Sequence, residues 1–149
     1  MEHPLPARGW TAASTEQSVQ VDANGAAAVV GNPVLFGYQA MGPGIPVQPG
    51  QRLRLRVPVT VTAGRGCLGV LDESLQHWLV APARLLPEYE LTVDGSQKVT
   101  PVLADCSASA ATVAPLRATI GNGTYATWSD RQELYVDELM REYRKVLPR

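Results

Sequence analysis

Few groups in this chain could do covalent or acid–base chemistry. Two histidines, His3 and His77, are its whole imidazole complement. An imidazole acts as a general base only when other groups orient it toward a substrate. The acids nearest His77 in sequence are Asp72 and Glu73. Held in a cleft, two such carboxylates could share acid–base work, but Asp72-Glu73-Ser74 between apolar runs reads as a solvated hairpin turn. His3 falls in a terminal stretch expected to be loosely held. Gly64, Gly66 and Gly69 match G-x-G-x-x-G, a pattern that cradles a pyrophosphate where a strand meets a helix. No helix is expected to follow here, so these glycines are assigned to a turn and to close sheet packing. There is no nucleophile elbow, phosphate loop or metal-spaced histidine pair. Cys67 and Cys106 belong to no C-x-x-C or Cys/His grouping, which argues against zinc. The expectation is a protein that is not an enzyme and uses no cofactor or metal.

What remains suits binding. Trp10, Trp78, Trp128, Tyr38 and Tyr125 offer ring faces that can stack on the C–H surface of a sugar, and Gln39, Gln76 and His77 can hydrogen-bond hydroxyls. Any single Trp serves core packing equally well. Trp78 is preferred as a ligand contact because Gln76-His77-Trp78 sets a polar pair beside an aromatic ring. Arg52, Arg54 and Arg56 share one strand face at a spacing of about 7 Å. Such a stripe could meet an acidic glycan, a phosphate or an acidic partner, or simply keep an outer sheet face charged and unpaired. The candidate ligand-binding residues are therefore Trp78, His77, Gln76, Tyr38, Gln39, Arg54 and Arg56. Asn122-Gly123-Thr124 matches a glycosylation sequon, which is assigned to chance.

The elements that must position these residues follow from a period of two between about Ser18 and Thr127. Val19 and Val21 alternate with polar neighbours, and Asn24-Gly25 then supplies a hairpin turn that needs positive φ. Val34, Phe36 and Tyr38 form a further alternating set. Met41 to Gly50, broken by Pro and Gly, reads as a long irregular loop. Leu53, Leu55, Val57, Val59 and Val61 face one way and the arginine stripe the other, the pattern of a half-buried strand. Pro58 cannot donate a ladder hydrogen bond and places that strand at an edge or a bulge. Cys67 to Leu71 is apolar on both faces and reads as a covered central strand. The sum is eight to ten short strands with frequent turns, an all-β antiparallel sandwich or jelly roll.

After Trp128 the period changes. Ser129 and Gln132 fit a capping box, and Val136, Leu139, Met140, Tyr143, Val146 and Leu147 fall on one helical face. The expected organisation is a β-sandwich over residues 1–128 and a C-terminal amphipathic helix over 129–149. That helix would pack on its own sandwich, on a second copy or on another domain.

The totals agree. A chain of 149 residues, 45% hydrophobic and 18% charged, can bury the core of one domain. Its 13 glycines and 12 prolines imply the many turns of a β-fold rather than a helical bundle. A net charge of −1 argues against a general nucleic-acid binder. No run reaches the roughly 18 apolar residues of a membrane span, and the first residues lack a leader pattern, so a soluble cytoplasmic protein is expected. The two cysteines read as small buried thiols, with pairing left open.

Gly37-Tyr38-Gln39, Ile45-Pro46-Val47-Gln48-Pro49-Gly50 and the stretch from Gly64 to Asp72 resemble the entry and central strands of a carbohydrate-binding-module-like, or galactose-binding-like, jelly roll. Such domains accompany bacterial glycosyltransferases and methyltransferases of surface-polysaccharide synthesis. The resemblance runs from about Trp10 to Trp128 and departs at Asp105-Cys106-Ser107, where an Asn-rich turn is usual. It implies an accessory module that binds a carbohydrate or polysaccharide intermediate beside an enzyme, and it transfers no ligand contact to a named residue. The alternative is a structural or oligomerisation module making protein contacts through the sheet face and C-terminal helix.

Overall fold

The computed structural model describes residues 2–34, 36–107, 114–129 and Arg141. Its strands are β1 (His3–Leu5), β2 (Thr11–Ala12), β3 (Ser18–Val21), β4 (Ala27–Val30), β5 (Tyr38–Met41), β6 (Ile45–Pro46), β7 (Arg52–Arg56), β8 (Val59–Ala63), β9 (Gly66–Leu71), β10 (Trp78–Val80), β11 (Tyr89–Thr92), β12 (Lys98–Asp105), β13 (Arg117–Ile120) and β14 (Gly123–Trp128). All their pairings are antiparallel. One layer is the sheet β10-β9-β12-β5-β2, with β6 also paired to β12. The sheets β1-β14-β7-β11 and β3-β4-β13-β8 share two continuous stretches of chain, 52–63 and 117–128.

Those two stretches read as long strands and are each interrupted once. Pro58 has no N–H to give, and its carbonyl accepts from the Gly121 N–H at 2.8 Å, so both breaks occur side by side. The alternating run expected from Leu53 to Val61 is thus two strands in two sheets. Just beyond the break, Gly123 lies so close to the Arg56 carbonyl that a side chain there would collide with it.

Apolar side chains from both layers meet in the middle. Leu53, Leu55 and Val57 oppose Leu68, Val70, Val99 and Leu103, with Trp10, Val29, Ile45, Leu116 and Ile120 filling the ends. β9 is the covered central strand its composition demands, buried from Cys67 to Leu71. The Asn24-Gly25 hairpin joins β3 to β4. Gly25 takes φ 80°, and Asp22 Oδ1 accepts from the amides of Asn24 and Ala26. His3, expected to be loose, is held in β1 and stacks on Tyr125 at 5.0 Å.

One part of the expected fold is corrected. The elements the described residues build are strands and one 3-10 turn, Ala7–Gly9, and the C-terminal helix expected over residues 129–149 is not among them; of the residues after Ser129 only Arg141 is described, with α-helical backbone. An amphipathic period marks which face a helix would bury, but an isolated short helix is marginal until a neighbour covers that face. Val136, Leu139, Met140, Tyr143, Val146 and Leu147, with the partner contacts expected of them, lie outside the described residues. No helix among the described residues is long and apolar enough to cross a membrane.

Two local expectations also shift. Residues 41–50 are not wholly irregular, because β6 pairs there with β12. The alternating set Val34, Phe36 and Tyr38 is not one strand, since β5 begins at Tyr38 and Phe36 has φ 58°.

Candidate functional site

The outer face of the five-stranded path is built mostly from small or branched side chains. Register pairs Thr100 with Leu71, Val102 with Gly69 and Ala104 with Cys67, and none of these belongs to the central core. Gly69 leaves room for an aromatic cover. A Cβ there would stand 2.7 Å from Trp78 Cζ3 and 2.8 Å from the Val80 carbonyl, so the indole lies directly on the β9 backbone. Trp78 is placed by β10, paired to Leu71 of β9. Tyr38 is placed by β5, opposite Ala104 of β12. Across the intervening strands the two rings meet edge to face, centroids 5.4 Å apart at 73°, a favoured aromatic geometry. Tyr38 keeps 36% of its surface exposed and Trp78 is half-buried.

The turn before Trp78 is tightly bonded. The Asp72 N–H donates to the His77 carbonyl at 2.9 Å and the Leu75 N–H to the Asp72 carbonyl at 3.1 Å. The Ser74 hydroxyl donates to Asp72 Oδ1 at 2.6 Å and accepts from the Gln76 N–H at 3.1 Å. That hydroxyl bond holds the Asp72 carboxyl below its ordinary range, aided by the His77 backbone, while burial opposes the shift. His77 Nδ1 lies 3.4 Å from Asp72 Oδ2 with its side chain 77% exposed. Asp72 and His77 therefore shape an exposed turn beside the rings, and the Ser74 hydroxyl, 3.4 Å from His77 Nδ1, is already committed to the Asp72 carboxylate.

Two flanking residues escaped the sequence reading. Phe36 and Leu75 hold φ of 58° and 62°, a costly region for bulky side chains, and both are exposed, at 63% and 44%. They lie toward opposite ends of the β9–β12 pair, which spans about 17 Å. Alternation carries no signal for a side chain turned outward by positive φ.

Beside this face runs the Cys67–Cys106 disulfide, Cα atoms 5.8 Å apart. The favoured reading of two separate thiols is replaced by a cross-link: Cys67 sits opposite Ala104, and the chain needs only two more residues to bring Cys106 back over it.

The other candidates lie elsewhere. Gln39 is fully buried, its Oε1 accepting from the Asn32 N–H at 2.8 Å and its Nε2 donating to the Gly37 carbonyl at 3.1 Å. It braces a loop and presents nothing to a ligand. Arg54 and Arg56 are on β7, in the opposite layer. Arg52 pairs with Glu90 at 2.7 Å, Arg56 with Glu88 at 2.8 Å and Glu2 at 3.2 Å, and Arg54 with Glu88 at 3.9 Å. The Arg54 guanidinium also lies 5.5 Å from the centre of the Trp128 ring. The Glu88 hydrogen bond raises the Arg56 pKa further above its already high value. Trp10 is a core residue, 4% exposed. Of the seven candidates, the fold brings Tyr38 and Trp78 together and sets Gln76 and His77 beside them. Gln39, Arg54 and Arg56 are apart. Among the described residues no cluster of three or more His, Cys, Asp or Glu could hold a metal ion.

Layers and strand pairing define the class: an all-β antiparallel sandwich. Among solved structures, the C-terminal CBM6 of LamC, a marine laminarinase from Zobellia galactanivorans, superposes with a TM-score of 0.53 at 11% identity, covering 85% of this chain and 99% of that one. A structure of accessory secretory proteins 1, 2 and 3 from Streptococcus pneumoniae is similar at a TM-score of 0.45 and 11% identity, covering 76% and 88%. No protein-family model matches the chain, and no curated protein matches it.

Proposed function

We propose that this chain is a non-catalytic carbohydrate-binding module whose recognition surface is the Tyr38–Trp78 pair, with Gln76 and His77 as polar contacts. The observation that carries this reading is the pair itself: two partly open rings fixed edge to face on the outer side of a rigid sheet. A soluble partner with apolar C–H faces and peripheral hydroxyls suits such a surface, and a sugar has both. The fold shared with a carbohydrate-binding module supports the assignment at the level of architecture. The sheet residues beneath the rings are buried while Tyr38 and Trp78 stay partly exposed, so a saccharide would rest on the rings themselves.

A place beside a glycosyltransferase or methyltransferase belongs to the same proposal and rests on the sequence resemblance alone. A cytoplasmic setting is not retained, because a disulfide favours an oxidising compartment.

Calorimetric titration against a panel of neutral and charged oligosaccharides tests the reading. Tyr38→Ala is the informative variant, since its ring is partly exposed and its removal leaves the β9 backbone covered by Trp78. The variant is expected to lose affinity by about tenfold or more, on the scale of one lost aromatic contact, with an unchanged melting temperature. Full affinity in a folded Tyr38→Ala protein would show that the rings are not the binding surface.

A further inference from the structure

A second feature on the far side of the disulfide has no role in the platform. A cleft of about 350 Å³ opens between the turn from β8 to β9 and the loop from β10 to β11. Two arginines line it, Arg65 from the turn and Arg84 from the loop, over an apolar floor that includes Val61 and Leu85.

The backbone beneath each arginine is pinned. Gly64 takes φ 74° with Leu116 and Pro115 packed against it, a conformation that suits glycine. The Arg65 carbonyl accepts from the Cys106 N–H at 3.0 Å. The Arg84 carbonyl accepts from the Tyr89 hydroxyl at 2.8 Å, and that same hydroxyl accepts from the Leu86 N–H at 2.9 Å.

The side chains above are exposed and, among the described residues, have no ion-pair partner, whereas Arg52, Arg54 and Arg56 each have a glutamate. Among the described residues no acid lines the cleft. The adjoining stretch 108–113, Ala-Ser-Ala-Ala-Thr-Val, contains none in sequence. Two guanidinium groups over apolar walls, without a resident carboxylate, are matched by an oxyanion, which each can grip through paired N–H donors.

Cys106 lines this cleft, while its partner Cys67 lies on the platform face. We propose that Arg65 and Arg84 form an oxyanion site for the carboxylate, sulfate or phosphate substituent of a saccharide whose neighbouring unit rests on Tyr38 and Trp78. The saccharide part of this proposal rests on the platform reading; the anion site stands on its own geometry.

The test has two arms on the full chain. In the first, the arginine Nε–Hε resonances are followed by NMR as sodium sulfate is added, with sodium chloride at equal ionic strength as control. The Arg65 and Arg84 signals are expected to shift saturably with sulfate alone. In the second, calorimetry compares a sulfated oligosaccharide with its desulfated counterpart. The sulfated form is expected to bind about tenfold more tightly, as a charge-assisted contact warrants. Arg65→Gln with Arg84→Gln should erase that advantage and leave the neutral affinity, while Tyr38→Ala weakens both ligands equally. If sulfate shifts the two resonances and no saccharide binds, the anion site stands and the platform reading falls. If sulfate does no more than chloride at Arg65 and Arg84, or the double variant keeps the sulfated preference, the proposal is overturned.

Discussion

The outer faces of the two layers solve the same problem in opposite ways. On the β7 side, long charged side chains cover the sheet, and each arginine of the stripe meets a glutamate: Arg52 with Glu90, Arg54 and Arg56 with Glu88, and Arg56 again with Glu2. The charges answer one another, and their stems shield the strands. On the β9 side, the sheet carries Gly69, Ala104, Val102 and Thr100, all buried, and two aromatic rings lie over part of it and stay partly exposed. A face that satisfies itself has little to offer a ligand, whereas rings left partly open retain apolar surface to bury. The stripe that looked most like an anion site is internally neutralised, and recognition is better sought across the sandwich.

The cross-link gives the largest expected effect on this contrast. Replacing Cys67 and Cys106 by alanine opens a loop with a separation of 39 residues, and loop-closure entropy puts the loss near 4 kcal/mol, about the scale for a loop of that length. Denaturant unfolding measures it. The β9 face should lose order first, seen as faster amide exchange in β9 and β12 than in β7 and β14. Equal loss on both faces would mean that the cross-link does not favour the aromatic side.

Gly69→Ala is next. The new methyl must displace either the indole or the Val80 carbonyl, an overpacking that costs about 1–3 kcal/mol. Thermal unfolding reports the cost, and near-ultraviolet circular dichroism should report a moved Trp78. A variant as stable as the parent with an unaltered spectrum would show that the indole does not rest on this strand.

On the charged face, Glu90→Gln removes the Arg52 partner at 2.7 Å. Both groups are well exposed, so the loss should stay below about 1 kcal/mol and shrink further in salt. Saccharide affinity should not change; a change would assign the stripe a role in recognition.

Acid titration gives the smallest effect. The Asp72 carboxyl is held below its ordinary pKa chiefly by the Ser74 hydroxyl. A group whose folded pKa is lowered contributes stability that is complete above the unfolded value of about 3.9 and fades as pH falls through the folded one. Unfolding measured from pH 6 down to pH 2 should therefore show a shallower acid limb in Asp72→Asn than in the parent. Identical limbs would remove Asp72 from the account.

Much of the sandwich was legible because burial imposes a period on a strand. Leu53, Leu55 and Val57 inward with three arginines outward announce β7, and the unbroken apolar run from Cys67 to Leu71 announces a strand covered on both sides. The hairpin at Asn24-Gly25 was equally plain, since its turn demands residue types. Strand order is less legible, and it is what creates the site. Tyr38 and Trp78 are forty residues apart and meet only because β9 and β12 lie between β10 and β5. The same pairing brings Cys106 onto Cys67, which spacing alone leaves open. Gln39 misled because its type suits a ligand contact and its buried bonds to a loop leave no trace in alternation. Phe36 misled in reverse: set between Val34 and Tyr38 it completes a strand pattern, yet the backbone turns at Gly37, whose N–H donates to the Val34 carbonyl. Ser129 and the apolar helical period after it lie at or beyond the end of the described strands, so that part of the reading gained no architectural counterpart.

The covalent ring closed by Cys67 and Cys106 encloses most of β9 and the whole of β10, β11 and β12, together with the exposed turn around Leu75. A protease that nicked that turn would sever the main chain without separating the pieces. The nicked molecule would migrate as one band on a non-reducing gel and fall into two only after a thiol was added.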